Sequence, residues 1–129
     1  MQLQTELSEL HAEHDEWQDK IHSYRHEIHE MNTSLEAIVS KNPSTDDLVK
    51  VEHFQNQFIR QREVLDILRH NFKQHENLIE AREENPDLTN NLSEQRLLEN
   101  HKMYRQEFND FEKIFNDLKE EFNSFLAKV

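Results

Sequence analysis

The sequence has no cysteine, no glycine and only two prolines. Without cysteine there is no disulfide framework, no thiolate metal ligand and no cysteine nucleophile. Without glycine there are no phosphate-cradling loops of the GxGxxG or GxxxxGKS kind. The residue that tight hairpin turns most often need is missing too, which counts against an all-β fold. Basic residues are scarce: 15 Lys and Arg face 27 Asp and Glu, a net charge of −12 at neutral pH. Nucleic acid is therefore not an expected partner, because phosphate contacts need clustered Lys and Arg. No stretch approaches the roughly 18–20 apolar residues of a membrane span, so no membrane partner is expected either. The opening segment 1–6 shows no basic stretch leading into an apolar run, unlike a secretory signal. These features point to a cytoplasmic protein, with residues 1–129 forming a single domain.

What the sequence does contain is a sustained hydrophobic rhythm, interrupted twice. Both prolines follow asparagine, in Asn42-Pro43-Ser44-Thr45 and Asn85-Pro86-Asp87-Leu88-Thr89. Proline ends helices, and Asn, Ser, Thr and Asp favour turns and N-caps. Ser44 or Thr45 can cap a helix whose first turn carries Asp46 and Asp47, where negative charge meets the positive end of the dipole. Asn91 with Glu94 three residues on resembles a capping box. The expected helices span about 2–40, 45–84 and 91–129.

In the first segment Leu3, Leu7, Leu10, His14, Trp17, Ile21, Tyr24, Ile28, Met31, Leu35 and Ile38 step by four and three without a break. The second gives Val51, Phe54, Phe58, Gln61, Leu65, Leu68, Phe72, His75, Ile79 and Arg82. The third gives Leu97, His101, Tyr104, Phe108, Phe111, Phe115, Leu118, Phe122, Phe125 and Val129. A four-three step held over several heptads is the coiled-coil signature. Short turns make successive helices antiparallel neighbours, so the spacing predicts an all-α, up-down-up three-helix bundle. At about 1.5 Å of rise per residue, each helix is roughly 55–60 Å long.

The two turns also predict which residues share a height. Across the first, Ile38 faces Val51, so paired numbers add to about 89; across the second they add to about 176. Trp17, Phe72 and Tyr104 then form one layer, and Leu10, Ile79 and Leu97 another. Between them lie His14, His75 and His101, the one seam histidine of each helix. Three imidazoles suit zinc or another divalent transition metal, and three such ligands plus a water or anion make an open tetrahedral site. The remaining ring nitrogens would need acceptors, and Glu13, Glu76 and Tyr104 are within reach by heptad position. The other reading of the same layer is a polar stripe that fixes helix register.

His22, His26 and His29 recur at i, i+4 and i+7 on an outer ridge, where adventitious surface metal binding is expected. Ile59, Val64 and Ile67 form an outward apolar stripe suited to a protein partner or to self-association. The first segment carries nine acids against two bases, a solvated face that a basic partner could also meet. Trp17 and the phenylalanines of the third segment sit at seam spacing and read as core. No Ser-His-Asp arrangement or cleft-borne carboxylate pair is apparent, so no enzyme activity is expected. Two functions follow: a non-catalytic helical interaction or structural module with no cofactor, or a metal-binding or metal-sensing bundle using His14, His75 and His101.

Overall fold

A computed structural model of the chain describes residues 2–85 and 93–129, with side chains described from residue 7 onward. It contains α1 (Gln2–Ser40), α2 (Thr45–Glu84) and α3 (Glu94–Lys128), and no strand among the described residues. The three helices pack against one another as the expected all-α bundle. Among the described residues, no helix is long and apolar enough to cross a membrane.

The first bend forms as its residue types dictate. Lys41 N–H donates to the Ile38 carbonyl at 3.1 Å as α1 ends. Asn42 then takes φ 56°, a left-handed conformation that asparagine tolerates better than most residues. Pro43 follows, and the Ser44 hydroxyl accepts from the Asp47 N–H at 3.1 Å to cap α2. Asp46 and Asp47 occupy the first turn, beside the positive end of the helix dipole. At the other bend, α3 begins at Glu94, later than the expected 91, because Ser93 supplies the cap. Its extended backbone (φ −62°, ψ 145°) lets the hydroxyl accept from the Arg96 N–H at 3.3 Å. Asn91, the cap expected from the sequence, and the Pro86 bend lie outside the described residues, as does the Leu3 side chain.

Ring contacts give the register of the helices. Phe54 meets Phe122 at 5.2 Å between centroids, Trp17 meets Phe72 at 4.6 Å, and Tyr24 meets Phe111 at 5.4 Å. Each pair was expected to share a layer. Edge-on and tilted aromatic pairs of this kind add to what area burial alone contributes. Ile59 and Ile67 stand exposed on α2, whereas Val64 is half-buried against the core. Gln61 is buried at its seam position.

The core is divided in two. One cluster runs from Trp17, Phe72 and Phe108 to Ile38, Val51 and Phe125. The other holds Leu7, Leu10, Ile79 and Leu97. The histidines lie between them. Among the described residues the smaller cluster has four buried apolar side chains against eighteen in the larger, and so provides far less burial to hold its end of the bundle. Amide hydrogen exchange of the metal-free protein should therefore be faster at Leu10, Ile79 and Leu97 than at Leu35, Phe58 and Phe115. Equal protection at both ends would show that the division has no energetic consequence.

Candidate metal centre

His14, His75 and His101 come from α1, α2 and α3, and each is no more than 2% exposed. They share a height because each occupies a seam position in helices whose ring contacts give the register described above. One ring nitrogen from each lies within 4.8 Å of the others. The ring centroids are 5.1 Å apart for His14 and His75, 5.0 Å for His14 and His101, and 5.5 Å for His75 and His101. Trp17 stacks on His101 at 4.8 Å, and Tyr104 packs edge-on against His75 at 5.2 Å. These neighbours make one wall of the layer aromatic and water-excluding.

Each imidazole has one nitrogen turned outward to an oxygen. His14 Nδ1 meets Glu76 Oε2. His75 Nε2 lies 3.0 Å from the Leu97 carbonyl oxygen. His101 Nε2 lies 2.5 Å from Glu13 Oε1. Carboxylates and carbonyls accept, so the ring nitrogens facing them carry the protons. In the neutral tautomers this assignment places the lone pairs on His14 Nε2, His75 Nδ1 and His101 Nδ1. The first two are 3.1 Å apart. Two lone pairs do not attract, so this contact requires a proton or a cation. His101 Nδ1 is buried and has no hydrogen-bond partner among the described residues. An unsatisfied buried polar atom costs about 1–3 kcal/mol. A cation held by all three nitrogens removes both problems.

The surroundings disfavour charge on His75 and His101. Burial pushes the His75 pKa down to about 4, with His14 and His101 adding to the fall and the Leu97 carbonyl opposing it. Burial also lowers His101, against the pull of Glu13. Neutral imidazole is the form that binds metal. The Arg105 guanidinium holds the Glu13 carboxyl down at about 2, with His101 helping and burial opposing. Glu76 is braced on its other oxygen by His11 Nδ1, whose Nε2 reaches Glu83 Oε1 at 2.6 Å. Burial works against charge on His11, but Glu83 and Glu76 outweigh it and raise its pKa.

No family model, curated protein or solved structure matches this chain. The reading of the centre therefore rests on its geometry. Of the three acceptors expected from heptad position, Glu13 and Glu76 meet ring nitrogens, while Tyr104 offers its ring to His75 and the Leu97 carbonyl takes the third place. His11, which lies off the seam of α1, joins α1 to α2 through two carboxylates. Its height gives the clue: a partner number near 78 falls between Glu76 and Glu83, which lie one heptad apart on the same flank. His22, His26 and His29 are exposed and line one shallow groove, with His26 paired to Glu30 at 3.0 Å. They stand apart from the buried layer. His14 and Glu76 also line a cleft of about 640 Å³ between α1 and α2.

Proposed function

We propose that this chain is a non-catalytic helical module whose buried layer binds one divalent transition metal through His14 Nε2, His75 Nδ1 and His101 Nδ1. The observation that carries the reading is the oxygen acceptor on the far nitrogen of every ring. Histidine ligands to metals characteristically donate their other N–H to a carboxylate or carbonyl, which fixes the tautomer and aims the lone pair. A purely structural polar layer has no need to leave His101 Nδ1 unpartnered. All-nitrogen ligation favours zinc, copper, nickel or cobalt over magnesium or calcium. The Glu13 and Glu76 carboxylates offset the charge of a divalent ion.

Elemental analysis of untagged protein, followed by zinc titration in a calorimeter, tests the proposal. One equivalent per chain is expected, lost when His14, His75 and His101 are all replaced by leucine. It is expected to survive replacement of His22, His26 and His29 by alanine. Zinc uptake that depends only on the surface ridge, or no stoichiometric uptake, contradicts the proposal. Circular dichroism of the triple-leucine variant establishes that it remains helical.

A further inference from the structure

We infer that Arg105 is a positioning residue of this centre: by gripping both oxygens of Glu13, it fixes the carboxylate that holds His101 with Nδ1 bare. The inference rests on the metal-binding reading above and extends it to a residue outside the ligand set. Arg105 Nε donates to Glu13 Oε2 at 2.8 Å, and Nη2 donates to Oε1 at 2.7 Å. The same Oε1 accepts from His101 Nε2 at 2.5 Å. Arg105 follows His101 by one helical turn on α3, whereas Glu13 directly precedes His14 on α1. The planar guanidinium fork thus fixes the carboxylate in two directions at the point where the two helices meet.

The Glu13 side chain is 27% exposed and is not enclosed by its own packing. Without Arg105 it can turn towards water and release the His101 N–H. His101 can then exchange tautomers, and a ring protonated at Nδ1 cannot ligate from that atom. Arg105 also has an opposing electrostatic effect. It partly neutralises Glu13, so its removal would strengthen the carboxylate's pull on the ring if orientation were maintained. The sign of the change in affinity therefore separates orientation from charge. Other cross-helix ion pairs provide the comparison. Lys119 meets Glu27 at 2.6 Å, and Arg25 meets Asp66 at 2.5 Å, and neither pair includes a layer histidine.

The test compares Arg105→Gln, Arg105→Lys and Lys119→Gln with the parent. Zinc dissociation constants come from calorimetry, and the His101 tautomer comes from nitrogen-15 NMR of the metal-free proteins. In Arg105→Gln the dissociation constant is expected to weaken about tenfold, the lower end for residues that orient metal ligands. Its His101 signals should shift from one tautomer towards a mixture. Arg105→Lys keeps the charge but loses the fork, so it should recover only part of the affinity. Lys119→Gln should match the parent in both measurements. Unchanged or tighter binding in Arg105→Gln, full recovery in Arg105→Lys, or an unchanged tautomer overturns the inference. If the parent takes up no zinc at the layer, the metal reading fails, and the tautomer measurement still decides whether Arg105 positions His101.

Discussion

With free zinc at a thousand times its dissociation constant, the unfolding free energy of the protein should rise by about 4 kcal/mol. The gain is large because the three donors come from three helices, and the unfolded chain does not hold them together. For a chain of this size, the melting temperature should climb by on the order of 10 °C. Any one of His14→Leu, His75→Leu or His101→Leu should remove most of the gain, since each deletes a ligand. The metal-free variants should remain folded. Each single replacement leaves a neighbouring polar group without its partner, at a cost of about 1–3 kcal/mol, which is smaller than the stability expected of a domain of this size, and the adjacent layers are apolar or aromatic. Thermal melts with and without zinc, for the parent and the three variants, provide the check. An equal zinc response in all four proteins would mean that the metal stabilises through some other place.

Acid should destabilise the metal-free protein. His75 has its folded-state pKa pushed from 6.5 to about 4 by burial, with the charge of its neighbours acting in the same direction. Between those values the unfolded chain takes up a proton that the folded chain refuses. Stability is therefore fully present above pH 6.5, declines as the pH falls, and has lost the whole contribution near pH 4. The separation corresponds to about 3 kcal/mol, of which about 2 kcal/mol should be lost by pH 5. His101 acts with the same sign. His11, whose pKa is raised, acts with the opposite sign: its contribution is present below 6.5 and fades as the pH rises through its folded value. The groups facing His75 are His14 and Glu76 from α1 and α2, and His101, Tyr104 and the Leu97 carbonyl from α3. A comparison of parent and His75→Leu isolates the layer, because His11 is common to both. Melts at pH 7.5 and pH 5 should show a clearly larger drop in the parent, and an equal drop in both would remove His75 from the explanation.

The helices and their packing were legible because seam periodicity and punctuation agreed. Four-three spacing persists through Leu7 to Ile38, Val51 to Ile79 and Leu97 to Phe125, and all but the half-buried Tyr24 and Tyr104 are buried along those runs. Asn42 and Pro43 mark the first bend because one accepts a left-handed backbone and the other cannot continue a helix. The histidine layer followed from simple addition across the two bends, since antiparallel rods of constant rise leave little freedom of height. The start of α3 was harder to read. Asn91 and Ser93 are both good caps, and tertiary packing chooses between such neighbours. Arg105 and the Leu97 carbonyl were missed for another reason. Heptad position fixes height and face, but not the rotamer that turns a guanidinium onto Glu13 or an imidazole onto a backbone oxygen.

The central claim is that three inward-facing imidazole nitrogens share one ion. X-ray absorption at the zinc edge, on protein loaded with one equivalent, tests it most directly. The expected spectrum shows three imidazole nitrogens at about 2.0–2.1 Å with at most one water or anion ligand beside them. The same spectrum should be lost from protein lacking His14, His75 and His101. A shell dominated by water and carboxylate oxygens, or an imidazole signal that survives without those three residues, would contradict it.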